Sequence, residues 1–331
     1  MSIEAISFAL PSVRQTARDI AGQTGANHAF IADKVGVAER YVLGEHETGV
    51  SLATQACEKL FERYPDLRGS VELIVCVTQN PDRRIPHNSP QIACEIGLGD
   101  HVASFDISLG CSGYVYGVEI VEGFLTRCGL DNAILVTCDP YSRIIAAEDR
   151  DTNCLFGDAA TATWIRSSGR RSLTLATDFG SDGSKGTAIS IPYGGATHPL
   201  VCLGDASKVN SYERDQLRLH MNGRAVFNFV LDRVPKSIET CLRRADCSID
   251  QIEHFVLHQG SAFMLDAVSR KIGIPPSRLA TNIRKYGNVV SSSIPLLLAE
   301  LDQAGQLDHG LVLMSGFGVG LSWGTSIVQF G

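Results

Sequence analysis

Short apolar runs alternate with helix-length stretches along the whole chain, and this alternation limits the fold more than any other feature. The runs Val71–Val77, Ala103–Ser108, Ala133–Cys138, Ala159–Ile165, His254–His258 and Leu311–Ser315 are expected to be strands, and the N-terminal MSIEAISFALPSV also reads as one. Helices are expected over Ser51–Arg63, Ser89–Ile96, Gly113–Cys128, Ala225–Arg244, Ala262–Ile272 and Ser292–Ala304. Such alternation gives α/β architecture with sheets covered on both faces. From Gly180 to Asn210 the chain is rich in Gly, Ser and Pro without a period, and reads as an irregular loop.

Matching the strands exposes an internal repeat. His258 stands 182 residues after Cys76, Asn288 stands 177 after Cys111, and Gly316 stands 178 after Cys138. Offsets this similar predict two copies of one unit, meeting near residues 166–175. Duplication would bring Cys111, His258 and Asn288 to related ends of two sheets, and ligands of α/β sheets gather at the carboxyl ends of strands.

Composition narrows the partners. The 331 residues are 44% hydrophobic, enough for one large core or two fused smaller ones. The net charge of −7 argues against nucleic acid, whose ligands are normally basic. Residues 203–285 run the other way, with 13 Lys and Arg against 9 Asp and Glu. That local excess suits either an ordinary solvated surface or a face for an anionic cofactor or acidic protein. The ten cysteines include no CxxC pair, and several sit in apolar runs, which fits a reducing cytosol. The N-terminus has no basic region before an apolar core, so no signal peptide is expected. No apolar run approaches the ~20 residues of a membrane span.

Three segments could carry chemistry. In FDISLGCSGY, 105–114, a strand gives way to a glycine turn and a helix starting around Cys111. A thiol at a helix N-terminus is expected to favour the thiolate, and the free N–H groups there could hold an oxyanion. In EHFVLHQGS, 253–261, His258 closes a strand, where a histidine can do acid–base or hydrogen-bonding work. His254 and His258 lack the remaining ligands of a zinc site, so no metal is expected. In KYGNVVSSSIP, 285–295, Gly287-Asn288 marks a turn, and the amide could donate to a developing enolate or carbonyl oxygen. The SGFGVGLSWG run at 315–324 lacks the glycine spacing of a dinucleotide loop and reads as a turn aiming N–H groups at a site.

These segments resemble the 3-oxoacyl-acyl-carrier-protein synthase III family of the thiolase superfamily. The likeness runs nearly end to end, through FDISLGCSGYVYG at 105–117, DRDTNCLFGDAA at 149–160, MNGRAVFNF at 221–229, VLHQGS at 256–261, RKYGNVVSSSIPL at 284–296 and GFGVGLSWG at 316–324. It implies a thiolase-like α/β fold of duplicated βαβαβαββ halves, 1–170 and 171–331, in five layers, α-β-α-β-α. It also implies a Cys111, His258, Asn288 triad with no permanent cofactor. Cys111 would take an acyl group from acyl-coenzyme A. A malonyl thioester would then lose carbon dioxide and attack it, giving a β-ketoacyl product. The N–H groups of Cys111 and Val319 would form the oxyanion hole, and Phe317 would line the decarboxylation site.

Departures from the family pattern concern the substrate. The entrance tryptophan that stacks on adenine aligns with Phe30, and a neighbouring arginine with Lys34, while Arg150 is retained; Arg224, in MNGR, joins this cofactor-binding group. HQAN reads His258-Gln259-Gly260-Ser261, and the basic residue tied to carrier-protein docking is Phe263. The residue that reaches a partner subunit's acyl pocket is Ile85 where Phe is common. The resemblance thus implies a cytoplasmic homodimer with a pocket for chains longer than acetyl, an altered carrier-protein contact, and a place in specialised metabolism. Two other readings share the fold: an acyltransferase that passes the acyl group to a hydroxyl or amine without decarboxylation, and a non-catalytic partner subunit.

Overall fold

The computed structural model describes residues 2–169, 171–200 and 210–331. Nine strands form its two main sheets. The first sheet uses β1 (Ser2–Ala9), β2 (Leu73–Val77), β3 (Ala103–Ile107), β4 (Asn132–Cys138) and β5 (Ala160–Arg166), in the order β1-β5-β4-β2-β3. The second uses β6 (Ser172–Ser181), β7 (Ile252–Leu257), β8 (Gly310–Gly318) and β9 (Ser322–Phe330), in the order β6-β9-β8-β7. Sheet membership changes between Arg166 and Ser172.

The predicted repeat is visible in strand register. Val75 of β2 pairs in parallel with Phe105 and Leu135. Phe255 of β7, 180 residues later, pairs in parallel with Leu313 of β8 and, through an isolated bridge, with Leu279. Both sheets then continue with antiparallel neighbours.

Six helices complete the layers. Helices α1 (Gly49–Arg63) and α2 (Asn88–Glu95) cover the outer face of the first sheet. Helices α3 (Gly113–Cys128) and α6 (Ser293–Gln303) touch both sheets and fill the space between them. Helix α4 (Gly223–Arg244) covers the second sheet and carries α5 (Ala262–Ile272) on its flank. The result is the thiolase fold, α-β-α-β-α. Tyr114, Val115 and Val121 of α3 and Ile294 and Leu298 of α6 belong to one core between the sheets, with almost no exposure. Each such side chain contributes about 1.5–3 kcal/mol on burial.

Two expectations need correction. Gly316–Gly318 are not turn: they end β8, because β9 pairs back along the whole strand, and only Val319–Leu321 make the turn. Within the Gly180–Asn210 stretch, Gly180 and Ser181 close β6, Gly183–Ala188 forms 3-10 turns, and Ile189–Ser190 pairs with His220–Met221. Residues 201–209 lie outside the described residues.

Candidate functional site

Cys111 lies in the turn between β3 and α3, two residues before the helix begins at Gly113. The turn can form because three glycines leave room. A Cβ on Gly113 would stand 2.4 Å from Val77, and one on Gly318 would stand 2.7 Å from the Cys111 sulfur. A Cβ on Gly316 would stand 2.5 Å from the Cys111 carbonyl oxygen. The end of β8 is therefore pressed against the nucleophile's own backbone, a contact that brings the N–H of Val319 beside the sulfur together with that of Cys111.

The expected thiolate is not what this environment favours. Cys111 is buried, and loss of solvent pushes its thiol up to about 12, with the charge of Asp139 adding to the effect. The two N–H groups lower it only in part. The resting sulfur is a thiol that must hand its proton to a neighbour when it attacks.

His258 follows β7, where its N–H donates to the Ser315 carbonyl at 2.8 Å. The ring is buried, its edge meets Phe317 with centroids 5.5 Å apart, and Nδ1 has no hydrogen-bond partner. Burial lowers its pKa to about 3, against a smaller opposing effect of the Val290 backbone. A neutral imidazole at pH 7 can accept one proton or donate one. Its neighbour Gln259 received no role from sequence. Its side chain accepts from the N–H groups of Asn282 and Ile283 and donates to Leu257, so it ties the strand end to the segment leading into Asn288.

Asn288 reaches the first half of the molecule through the CLFGD segment. Its N–H donates to Leu155, its carbonyl accepts from Gly157, and Phe156 forms an isolated parallel bridge with it. Buried Arg40 braces that segment by donating to the Phe156 carbonyl at 2.7 Å and to Asn153 Oδ1 at 2.6 Å. Val290, at a φ of 53°, turns its N–H onto Asn288 Oδ1 at 2.9 Å. A non-glycine residue in that region costs of order 1–3 kcal/mol. Its effect is to fix the amide: with Oδ1 engaged as acceptor, Nδ2 is the group left to donate.

Cys111, His258, Asn288, Phe317 and Val319 line one narrow cavity, with Leu155, Met221, Val226 and Met264 among its apolar walls and room of about 40 Å³ for a water-sized molecule. Two further cavities lead outward. One, of about 340 Å³, shares Leu155, Met221, Val226, Gly260 and Met264 with the first and adds Arg224, Phe227 and Phe263. The other, of about 600 Å³, takes Leu155, Ser261 and Phe263 and adds buried Cys154 with Phe30, Lys34 and Arg150. Phe30, Lys34, Arg150 and Arg224 thus line two cavities that share Leu155 with the one at the sulfur. Ser261 has a local task, capping α5 through Met264 N–H at 3.1 Å. Ile85 does not line these cavities and is 88% exposed. His254 is turned away, bonding the Gln306 carbonyl. Among the described residues no cluster of three His, Cys, Asp or Glu side chains could hold a metal ion, and no helix is long and apolar enough to cross a membrane.

A duplicated α/β unit with a buried cysteine at the start of the central helix defines a thiolase-fold protein. Comparison with known proteins supplies the family. Residues 105–183 match the model for 3-oxoacyl-[acyl-carrier-protein (ACP)] synthase III, and residues 242–330 match the model for its C-terminal part. A beta-ketoacyl-[acyl-carrier-protein] synthase III of Trichodesmium erythraeum (strain IMS101) is 32% identical over 331 residues, covering 100% of this chain and 98% of that protein. A crystal structure of a 3-oxoacyl-(acyl-carrier-protein) synthase III at 2.1 Å matches with a TM-score of 0.92 at 30% identity, covering 99% of both chains. The enzyme of that name from Pseudomonas aeruginosa PAO1 gives 0.87 at 28% identity, covering 99% of this chain and 97% of that one. The chain belongs to the 3-oxoacyl-[acyl-carrier-protein] synthase III family of acyltransferases.

Proposed function

We propose that this enzyme loads an acyl group from acyl-coenzyme A onto Cys111 and condenses it with a malonyl thioester. The observation that carries this reading is the single apolar cavity in which the Cys111 sulfur, flanked by the N–H groups of Cys111 and Val319, meets His258 and Asn288. In the first half-reaction the Cys111 thiol attacks the thioester carbonyl. Its proton passes to neutral His258 and then to the departing coenzyme A sulfur, while the two N–H groups hold the oxyanion.

In the second half-reaction the malonyl carboxylate leaves as carbon dioxide. The electrons of the broken C–C bond move into an enolate, whose oxygen accepts from His258 and from Asn288 Nδ2. The Phe317 ring against His258 keeps this region dry, which favours loss of a charged carboxylate as neutral gas. The enolate carbon attacks the acyl carbonyl, and the Cys111 sulfur departs as a thiolate that takes a proton from solvent. Each donor in such a site is worth about 2.7–4 kcal/mol.

The finer parts of the proposal concern substrate and assembly. Phe30, Lys34, Arg150 and Arg224 would receive coenzyme A, an aromatic face for the base and three cations for the phosphates. Phe263, 62% exposed and stacked on Phe227 at 5.2 Å, gives the mouth an apolar contact for a carrier protein. In this reading the chain acts as a homodimer joined at the outer edge of β3, with Ile85 entering the partner's acyl pocket and making room for chains longer than acetyl. An altered mouth beside an intact triad suits specialised metabolism, and free buried cysteines suit a reducing cytoplasm. The test is to incubate the protein with a panel of acyl-coenzyme A donors, then a malonyl thioester, and follow mass. An adduct on Cys111 and a product two carbons longer support the proposal. A product without the added carbons would replace it with simple acyl transfer.

A further inference from the structure

The reaction above leaves the buried acid Asp139 unused. Asp139 follows β4 and is 1% exposed. Its Oδ1 accepts from the Gln79 N–H at 2.7 Å and the Thr78 hydroxyl at 3.4 Å. Its Oδ2 accepts from the Ser291 hydroxyl at 2.5 Å and the Ser291 N–H at 3.4 Å. Four donors and no acceptor suit an ionised carboxylate.

Those donors come from the turn after Asn288 and from the turn after β2, which packs on the Cys111 turn. Ser291 lies three residues past Asn288, next to the Val290 whose N–H fixes the Asn288 amide. Gln79 packs its side-chain oxygen where a Cβ on Gly110 would go, at 2.5 Å, and that oxygen also accepts from the Tyr141 hydroxyl at 3.1 Å. Gly110 directly precedes Cys111. One carboxylate therefore joins the turn after Asn288, from the second half, to Gln79, whose side chain packs on the turn before Cys111, from the first.

We propose that Asp139 is a positioning residue that sets the Asn288 amide against Cys111 by holding Ser291 and Gln79 at once. It need not touch substrate. Asp139 bonds the Asn288 turn directly, through Ser291, beside the Leu155 and Gly157 bonds that hold the Asn288 backbone, whereas it reaches the Cys111 turn only through Gln79, and that turn has a further support in the end of β8 pressed on its backbone. Loss of Asp139 should therefore harm the condensation step more than the loading step. The titratable groups facing Asp139 are Cys76, Cys111, Cys138 and Tyr141, all weak acids that its charge makes harder to ionise. Removing the charge should make the Cys111 thiol easier to ionise, although burial, the larger cause, still holds it up.

The activity arm rests on the proposed reaction, and the test uses two variants. Asp139→Asn removes the charge and keeps the shape; Ser291→Ala removes one anchor and keeps the charge. Loading of Cys111, read by intact mass, should stay within about threefold of wild type in both. Release of carbon dioxide from a malonyl thioester should fall by about tenfold or more in both, the scale of one hydrogen bond to a charged group. Alkylation of Cys111 by iodoacetamide at fixed pH should quicken in Asp139→Asn and not in Ser291→Ala. Equal loss of loading and condensation, or unchanged condensation in Ser291→Ala, would overturn the proposal; so would unchanged alkylation in Asp139→Asn. Should circular dichroism show Asp139→Asn unfolded, Ser291→Ala decides alone. Should the wild type neither load nor condense, the proposed reaction fails by itself. The Asn288 position in a crystal structure of Ser291→Ala then decides the role of Asp139: a displaced amide supports it and an unmoved one overturns it.

Discussion

The two halves of the molecule place very different residues at matching points. Val75 and Phe255 hold the same station in their sheets, as do Leu135 and Leu313. Three residues beyond the first pair stand Thr78 and His258; four beyond the second stand Asp139 and Phe317. In the first half this pair of positions is polar, a threonine hydroxyl donating to a carboxylate. In the second it is an imidazole edge against a phenyl ring. The same backbone gives a well-bonded anchor on one side and an apolar setting for a neutral base on the other. The duplicated fold supplies positions, and polarity at those positions separates support from chemistry.

The sharpest way to break this contrast is to damage both members of a pair. His258→Ala or Asn288→Ala should lower condensation by about 10²–10³-fold, the cost of one lost donor in an oxyanion-type site. Thr78→Ala, at the position matching His258, should lower it less than about tenfold, since it loses a single weak bond to a supporting residue. Steady-state rates with a malonyl thioester check both. Next in size, Gly318→Ala puts a methyl group against the Cys111 sulfur. It should abolish the Cys111 adduct in intact-mass spectra and cost about 1–3 kcal/mol of stability in denaturant titrations, as overpacking does.

The two halves should also answer pH with opposite signs. The carboxyl of Asp139 is raised from 3.8 to about 6 in the fold, so the folded state holds the extra proton between those values. Its contribution is full below about pH 4 and is lost as pH rises through 6. His258 is lowered from 6.5 to about 3, so the unfolded chain takes up the proton first, and wild type loses stability as pH falls from 6.5 towards 3. Melting temperatures should move in favour of Asp139→Asn as pH rises from 4 to 7. For His258→Gln they should move in its favour as pH falls over the same range. Parallel trends would break the contrast. The smallest effect is expected at the mouth, where Phe30→Ala should raise KM for acyl-coenzyme A by about fivefold, one exposed aromatic contact, with kcat little changed.

Much of this was legible in the chain. The seven expected strands and six expected helices all form, the strands from short apolar runs and the helices from longer amphipathic stretches. The candidate nucleophile stood out because its turn needs glycines on both sides. The β9 strand was hidden, since TSIVQF sits behind a glycine run that reads as loop, and only pairing with β8 makes it a strand. Asp139 was hidden for another reason. In the sequence it is the Asp of an Asp-Pro pair after an apolar run, an ordinary turn signal, and its meaning depends on Ser291, 152 residues away. Gln259 lay inside a quoted motif, yet its side chain acts on Asn282 and Ile283, which periodicity cannot pair with it. The thiolate expectation failed because a helix start gives N–H groups, whereas burial and Asp139 act from elements far away in sequence.

The central claim is that one cysteine among ten carries the acyl group. Peptide mapping by mass spectrometry after exposure to an acyl-coenzyme A tests it most directly. The account predicts a single adduct of the acyl mass on the peptide containing Cys111, absent in Cys111→Ala. An adduct on a different cysteine, or one that persists in Cys111→Ala, would contradict it.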